Sequence, residues 1–335
     1  MVKRYFPYVL ILLIALTFLV GCDKDKGTEP EKVDEFALVA EKGDVYFTNY
    51  TTPSGYPVNV RISAVYDLLT DGDATNDPFI IDYRAEADYN SGHIINAVRI
   101  PFGELINKVD DGTIPKDKVI LNVCYTGQTA SAATAILNLL GYDAQNLLFG
   151  MCGVDTSIAN GKKWSAQVAM DEHANDLETT AHTATETHEF PTLNTGETTA
   201  EAIIKARFQA VLASAGFPRI SADDVWDNTG NYFIVNYWPE NEYLNPGHIP
   251  GAYQFTPKSS LKRDAQLNLL PTDKTVVIYC YTGQTSAQVA TYLTILGYDA
   301  KSLLYGFNGF AFSKLAGHKY SPPQAGIYDA ILVKP

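Results

Sequence analysis

Short apolar runs alternate with mixed polar and apolar segments along this chain, and the same series occurs twice. The first series is FIID (79–82), AVRI (97–100), VILNV (119–123) and NLLFG (146–150), and the second is YFIVNY (232–237), AYQF (252–255), VVIYC (276–280) and SLLYG (302–306). Apolar strands separated by helix-like segments are typical of a parallel sheet covered by helices on both faces. We therefore predict an α/β fold with two such sheets.

A helical pattern precedes the second series. Between residues 198 and 215, the apolar side chains other than Phe208 follow helical spacing, and the sequence GFP at 216–218 supplies a stop. The pattern predicts one helix that leads into the second sheet.

The repeat extends beyond the apolar runs. RISA occurs at 61–64 and 219–222, GHI at 92–94 and 247–249, and LLFG at 147–150 returns as LLYG at 303–306. Offsets of 154–158 residues indicate duplication of a whole domain and not a short-repeat solenoid. We place the first copy at residues 58–170 and the second copy at 198–335, with a tether and lead-in at 22–57 and an acidic, histidine-containing linker at 171–197.

Length and charge narrow the possible functions. The chain has 335 residues, enough for two domains of ordinary size, and its 38 acidic and 25 basic residues give a net charge of −13. The sequence shows no basic stripe, so a nucleic-acid partner is not expected.

The first 22 residues resemble a bacterial lipoprotein signal. Lys3 and Arg4 precede an apolar run at 9–20, which is short for a membrane span, and small residues lead to Cys22. This pattern predicts a signal peptide at 1–21, lipidation of Cys22, and an exported protein held on the cell envelope by its lipid; an ordinary N-terminal anchor helix is the alternative. Residues 23–35 are charged and poor in apolar side chains, as a flexible tether would be.

The hexapeptide CYTGQT occurs at 124–129 and again at 280–285, each time after an apolar run. We call these segments the first loop and the second loop. A cysteine at the end of a strand, followed by a glycine turn into a helix, lies where backbone N–H groups favour a thiolate. Gly127 and Gly283 allow the backbone to curl. Thr129 and Thr285 add a hydroxyl at the helix start, as a cap or as a donor to the sulfur.

The ordered motifs IIDYR, GHIINA and CYTGQTAS in the first copy, and IVNYW, GHIPGA and CYTGQTSA in the second, resemble those of tandem-domain rhodanese-like sulfurtransferases. The resemblance covers about residues 58–160 and 215–315. It implies two rhodanese-like domains in which Cys124 and Cys280 are catalytic and carry sulfane sulfur as a persulfide. The loop residues that it implies in substrate binding are Tyr125, Thr126, Gly127, Gln128 and Thr129, and Tyr281, Thr282, Gly283, Gln284 and Thr285.

Loop length and loop charge refine this expectation. Related phosphatases use the longer loop CxxxxxR, whose arginine clamps the phosphoryl group, but here Ala130 and Ser286 occupy the sixth position after each cysteine. Neither loop carries the lysine or arginine that thiosulfate-preferring members of the family commonly place there. We therefore expect a persulfide or polysulfide to be a better donor than thiosulfate.

Other residues near the loops are expected to act through structure. Asp82 and Arg84 should form an ordering ion pair, which the second copy must replace because Asn236 and Trp238 stand at the matching positions. The family uses the histidine of GHI structurally, so we assign that role to His93 and His248.

Two further features leave alternatives open. Cys152, two residues after Gly150, is either a resolving thiol for Cys124 or a small apolar residue in a tight turn. His173, His182 and His188 in the linker have carboxylate neighbours, but their spacing matches no compact ligand set, so a solvated linker is favoured over weak metal binding. No metal and no cofactor are expected.

The sequence thus favours an enzyme that passes sulfane sulfur from a small-molecule donor to a thiol or cyanide. The alternative is a binding or sensing module of the same family without turnover, and a redox role for Cys124 with Cys152 is a third possibility. The expected partners are the donor, a thiol acceptor and, through the lipid, a membrane; the oligomeric state stays open.

Overall fold

The computed structural model describes residues 33–155, 157, 164 and 171–334. The predicted signal peptide and Cys22 lie outside the described residues. Within the described residues, no helix combines the length and the apolar character needed to cross a membrane.

Each copy contains one five-stranded parallel sheet. In the first copy the strand order is β1-β6-β5-β2-β4, built from β1 (Asn59–Val60), β2 (Phe79–Asp82), β4 (Val98–Arg99), β5 (Ile120–Val123) and β6 (Ala144–Leu147). In the second copy the order is β7-β11-β10-β8-β9, built from β7 (Arg219–Ile220), β8 (Tyr232–Asn236), β9 (Tyr253–Gln254), β10 (Thr275–Tyr279) and β11 (Ala300–Leu303). The two orders match strand for strand, as expected for a duplication.

Helices surround both sheets, so the predicted α/β class is confirmed. The α-helices of the described part are α1 (Glu35–Asn49), α2 (Ile62–Thr70), α3 (Glu86–Asn90), α4 (Leu105–Asp110), α5 (Gln128–Leu139), α6 (Ala200–Val211), α7 (Ala222–Trp226), α8 (Glu240–Leu244) and α9 (Gln284–Ile295). The helix predicted at 198–215 is confirmed as α6, whose N-cap Thr199 accepts a hydrogen bond from the Ala202 N–H (3.3 Å).

The largest apolar core is shared by the two copies. Helices α5 and α9, which begin at the two loops, pack against each other, and the largest buried cluster draws side chains from both sheets and from α1. Ile136 of α5 and Leu293 of α9 are completely buried in this cluster. The starts of both helices, and therefore both loops, are held by a common interior.

Helix α1 was not predicted. The lead-in was interpreted only as a tether and approach to the first copy, whereas residues 35–49 form a helix that buries Phe36, Val39 and Phe47. Asp34 caps it by accepting a hydrogen bond from the Ala37 N–H (2.9 Å). The apolar residues of this helix are buried because they cover the junction of the two copies. The sequence of the lead-in alone gives no indication of that junction.

Two peripheral segments join the copies. Most residues of 171–197 are at least partly exposed, but the segment is anchored by the buried side chain of Leu193 and by a backbone bridge between Glu178 and His248. At the other end of the chain, β12 (Leu332–Val333) returns to the first copy and pairs antiparallel with β3 (His93–Ile94).

Candidate active site

Each cysteine of the repeated hexapeptide lies directly after the central strand of its sheet. Cys124 follows β5 and Cys280 follows β10, and the chain then turns into α5 or α9. The turns pass through Gly127 (φ +82°) and Gly283 (φ +73°), in the left-handed region that favours glycine. Both sulfurs therefore lie at the carboxyl edge of a parallel sheet, where ligands of such folds bind.

Backbone N–H groups point at both sulfurs. The Gly127 and Ala130 N–H groups donate to Cys124 Sγ at 3.2 and 3.4 Å, and the Ser286 N–H donates to Cys280 Sγ at 3.4 Å. These donors belong to the loop and to the first turn of the following helix. The arrangement stabilises negative charge on sulfur, as the sequence predicted.

Burial opposes that stabilisation. Cys124 is 3% exposed and Cys280 is 2% exposed. Desolvation raises the pKa of the Cys124 thiol above its ordinary value, and the loop N–H groups only partly offset it. In this conformation Cys124 is therefore held as a neutral thiol, which differs from the thiolate expected from the loop alone.

A glycine turn supports each loop from behind. Gly150 and Gly306 both have φ +55°, and a Cβ on either would lie 2.3 Å from the carbonyl oxygen of Cys124 or Cys280 respectively. The Met151 N–H donates to that Cys124 carbonyl at 2.8 Å. Neither position has room for a side chain, so the turn fixes the strand end that carries the cysteine.

The loop glutamines cross between the copies. Gln284 Oε1 accepts hydrogen bonds from the Phe149 N–H (3.0 Å) and from Asn146 Nδ2 (2.9 Å) of the first copy. Reciprocally, Gln128 Oε1 accepts from the Tyr305 N–H of the second copy (2.9 Å). Both glutamine side chains are buried and engaged, so in this conformation they connect the copies instead of facing a substrate.

The threonine hydroxyls do not take the predicted roles of helix cap or donor to the sulfur. Gly127 and Gly283 are the N-cap residues of α5 and α9, without side-chain capping bonds, and Thr285 Oγ1 accepts a hydrogen bond from the Tyr50 hydroxyl (3.1 Å). The predicted residue Thr129 contributes a backbone contact that lowers the pKa of Cys124.

Ser286 supplies the hydroxyl near sulfur in the second copy. Its Oγ lies 3.6 Å from Cys280 Sγ and 2.9 Å from Ser302 Oγ, which also approaches the Gly283 carbonyl (3.3 Å). The matching residue in the first copy is Ala130, which has no hydroxyl. The sequence does show this difference, because the first hexapeptide is followed by Ala-Ser and the second by Ser-Ala.

The remaining loop side chains are held by neighbours. The Tyr125 hydroxyl bonds to the Asp88 carboxylate, and burial raises the pKa of Tyr125 to about 12. Tyr281 stacks on His318, with ring centroids 4.2 Å apart, and burial likewise raises its pKa. Thr126 and Thr282, also predicted in the loops, are each 8% exposed.

The buried Asp82–Arg84 pair lies at the sheet edge beside the first loop. Arg84 Nη2 donates to Asp82 Oδ2 (2.7 Å) and to the Gly92 carbonyl (2.6 Å), and both side chains are at most 1% exposed. In the second copy Asn236 Nδ2 donates instead to the Tyr279 hydroxyl (2.9 Å), and Trp238 is fully buried. The second copy thus has a hydrogen bond from the Asn236 amide and aromatic packing of Trp238 where the first copy has an ion pair.

The two GHI histidines make the same local contacts. The Nδ1 atom of His93 lies 2.9 Å from the Tyr89 carbonyl oxygen, and that of His248 lies 2.9 Å from the Tyr243 carbonyl oxygen. Each ring also stacks on the tyrosine it bonds to, at centroid distances of 3.9 and 3.7 Å. These contacts fit the structural role expected for both residues.

Cys152 lies in the glycine turn behind the first loop. It is 3% exposed and belongs to a buried cluster with Phe149, Trp164 and Tyr320, whereas Cys124 belongs to the main core cluster. Its backbone N–H donates to the Tyr125 carbonyl (3.0 Å). The contacts of Cys152 are thus those of a packed turn residue, and its possible role as a resolving thiol stays a prediction.

Two groups of side chains in the described part could hold a metal ion. Glu178, His182 and His248 form one, and the mostly exposed Glu172, His173 and Asp223 form the other. Neither group includes a loop cysteine. His188, the third linker histidine considered from the sequence, belongs to neither group.

A family comparison matches both copies. The model of the rhodanese-like domain family matches residues 62–154 and 221–312, together more than half of the chain. None of the curated proteins matches the chain.

Several solved structures are similar to parts of the chain. A thiosulfate sulfurtransferase from Pseudomonas aeruginosa is 19% identical over 86% of this chain and 49% of that one, with a TM-score of 0.29. A rhodanese-like domain protein from Staphylococcus aureus is 22% identical over 28% of this chain and 86% of that one (TM-score 0.25). A rhodanese-related protein from Thermoplasma volcanium is 22% identical over 27% of this chain and 87% of that one (TM-score 0.24).

Proposed function

Because the chain belongs to the rhodanese-like domain family, we propose that it is a sulfurtransferase that carries sulfane sulfur on Cys124 and Cys280. The observation that carries the proposal is the position of each sulfur, at the end of a central strand and in front of N–H groups from a loop and a helix start. Such a position serves a nucleophile that alternates between thiolate and persulfide.

The proposed cycle has two balanced steps. After the cysteine thiol has lost its proton to water, the thiolate attacks the outer sulfur of a persulfide or polysulfide donor, the donor's S–S bond breaks, and its remaining thiolate leaves. An acceptor thiolate or cyanide then attacks the outer sulfur of the cysteine persulfide, and the cysteine thiolate is released again. The loop N–H groups stabilise the negative charge on sulfur in both steps.

The loop side chains carry no positive charge. Tyr125 and Gln128 in the first loop, and Tyr281 and Gln284 in the second, provide no positive charge to hold a dianion, and the net charge of −13 repels anions at long range. We therefore propose that persulfides or polysulfides are better donors than thiosulfate. A donor screen that compares glutathione persulfide, polysulfide and thiosulfate tests this preference.

Persulfide trapping with mass spectrometry tests the chemistry. After exposure to a donor and alkylation, we expect a sulfur adduct on the peptides that contain Cys124 and Cys280. Absence of an adduct on both cysteines with every donor would refute the enzyme proposal.

The burial of both sulfurs favours a second candidate function. With 3% exposure for Cys124 and 2% for Cys280, a donor reaches either sulfur only after the surrounding side chains move, which suits a domain that binds or senses without turnover. Turnover that disappears in the Cys124→Ala/Cys280→Ala double variant would exclude the binding-only function. The two single variants then assign activity to each site.

We further propose that Cys22 is lipidated and holds the protein on the exported side of a bacterial membrane. The support is the sequence pattern of a basic start, an apolar run at 9–20 and small residues before the cysteine. Replacement of Cys22 by alanine should move the protein from the membrane fraction to the soluble fraction. Equal membrane association of variant and wild type would contradict the lipid anchor.

A further inference from the structure

Glu178, in the segment between the two copies, is fixed against the second copy by its backbone. The Glu178 N–H donates to the His248 carbonyl (2.9 Å), and the His248 N–H donates to the Glu178 carbonyl (2.8 Å), which forms an isolated antiparallel bridge. The side chains of the two residues therefore start from a defined relative position.

Three potential ligand atoms converge at this bridge. Glu178 Oε1 lies 2.9 Å from His182 Nε2, and Glu178 Oε2 lies 3.9 Å from His248 Nε2. One donor atom from each residue lies within 4.8 Å of those of the other two. Ligands about 2.0–2.2 Å from a tetrahedral Zn²⁺ are about 3.3 Å apart, so small side-chain movements suffice to surround an ion.

The buried nitrogen of His248 lacks a hydrogen-bond partner. His248 is completely buried, and its Nδ1 donates to the Tyr243 carbonyl, which leaves the lone pair on Nε2 in the neutral ring. Among the described residues, Nε2 has no hydrogen-bond partner, and it faces the Glu178 carboxylate. A lone pair opposite a carboxylate is unfavourable unless a proton or a metal ion lies between them.

The surrounding contacts orient the side chains of Glu178 and His248 and hold the backbone at His182. The Gly251 N–H donates to Glu178 Oε2 (2.8 Å), and the Tyr243 hydroxyl accepts from the His182 N–H (2.9 Å). The bond from His248 Nδ1 to a carbonyl is the outer contact that metal-bound histidines usually make. The side chains of Glu178 and His182 are 26% and 35% exposed, so the cluster opens to solvent on one side.

The first copy provides a natural comparison. His93 makes the same bond and stacking contact with a tyrosine as His248 does, but its partner across the antiparallel pairing is Val333 of β12. The same backbone arrangement there brings neither a carboxylate nor a second imidazole. The ligand set in the second copy is therefore not a requirement of the fold.

We propose that Glu178, His182 and His248 bind a divalent transition-metal ion of the Zn²⁺ class, with a fourth position open to water. Two imidazoles and one carboxylate suit Zn²⁺ and its neighbours in the first transition series better than Mg²⁺ or Ca²⁺. The ion links the segment between the copies to the second copy. This metal site departs from the sequence-based expectation of no metal, because the sequence places His248 in a motif whose histidine is structural.

Titration of the metal-stripped full-length chain with ZnCl₂ and with CoCl₂ tests the site. We expect binding of Zn²⁺ that weakens at least about 10-fold in His182→Ala and in Glu178→Gln, on the scale of losses seen when metal-site contacts are removed. Visible Co²⁺ bands without thiolate charge-transfer bands should accompany binding, and they should disappear in His182→Ala. Replacement of the buried His248 by glutamine could prevent folding. His182 is partly exposed, so its replacement leaves the core intact and keeps the test informative.

Two controls separate this site from its alternatives. His93→Gln and His173→Ala should bind Zn²⁺ as the wild type does. The alternative is a protonated His248 that bridges Glu178 and the neighbouring backbone of Thr180. Equal Zn²⁺ affinity in wild type and His182→Ala, or Co²⁺ spectra with thiolate bands only, would overturn the proposal. None of these readouts depends on sulfur transfer, so the result stands apart from that of the proposed function.

Discussion

The two glutamines that cross between the copies should make similar contributions to stability. Both side chains are at most 2% exposed, so each replacement by alanine acts in the interior. Gln284 accepts two hydrogen bonds from the first copy, whereas Gln128 accepts one from the second copy and donates one to Thr126 in its own loop (3.1 Å). We therefore compare Gln284→Ala with Gln128→Ala.

The expected losses in the free energy of unfolding follow from the polar groups that each substitution leaves without a partner. Gln284→Ala leaves the Phe149 N–H unpaired, at about 1–3 kcal/mol, and removes one of two bonds of Asn146, at about 1 kcal/mol. Gln128→Ala leaves the Tyr305 N–H unpaired, at about 1–3 kcal/mol, and removes the bond that Gln128 donates to Thr126, at about 1 kcal/mol. Each variant loses two hydrogen bonds and the same methylene groups, so each should cost about 2–4 kcal/mol.

Urea unfolding followed by tryptophan fluorescence measures the loss in the free energy of unfolding for each variant. Both variants should lower the midpoint with an unchanged slope, because the shared core makes the two copies unfold together. The exposed Gln209→Ala serves as a control and should stay within about 0.5 kcal/mol of wild type. A loss below about 0.5 kcal/mol for either glutamine variant would refute the stated role of these bonds.

Three further outcomes are expected. Asp82→Ala leaves the Arg84 guanidinium buried without its carboxylate and should cost about 3–5 kcal/mol in urea unfolding; a loss under about 1 kcal/mol would contradict the buried ion pair. Because burial raises the pKa of Cys124, its alkylation should need a higher pH than that of the unfolded chain. Equal pH–rate profiles of alkylation for the folded and the unfolded chain would contradict the raised pKa. The stability that the neutral thiol contributes is present below the ordinary cysteine pKa and is lost as the pH rises through the raised pKa of the folded state. The Cys280 thiol donates to Ser286 Oγ (3.6 Å), and this hydroxyl can rotate to donate to the thiolate. Ser286→Ala should therefore slow alkylation of Cys280 at fixed pH by about 3- to 10-fold, and an unchanged rate would exclude the hydroxyl as a donor to the thiolate.

Local patterns sufficed for the loop position and for four of the five strands in each sheet, and they missed the two-residue strands β1 and β7. The apolar runs at 79–82 and 119–123 mark β2 and β5 because both strands are buried on both faces, which removes the alternation that an exposed face would impose. The glycines at 127 and 283 mark the turns since the required φ values are costly for other residues. These features depend on a few neighbours in sequence.

Long-range contacts were not predictable in the same way. Nothing near Gln284 in sequence indicates that its acceptor oxygen meets the Phe149 N–H of the other copy, 135 positions away. The raised pKa of Cys124 also follows from coverage by distant segments, whereas the loop itself lowers it. Helix α1 was missed for the same reason, because its apolar face is explained only by the junction that it covers.

Although the two sites arose by duplication, they should not be chemically equivalent. Identical hexapeptides impose the same backbone path, yet Ser286 presents both its N–H and its hydroxyl to the sulfur of Cys280, whereas Ala130 presents only its N–H to the sulfur of Cys124, beside that of Gly127. A hydroxyl at this distance accepts from the thiol and can rotate to donate to a thiolate, so the chemistry at each cysteine depends on residues just beyond the repeated motif. Sulfur loading should therefore proceed at two different rates, and the faster one should belong to Cys280.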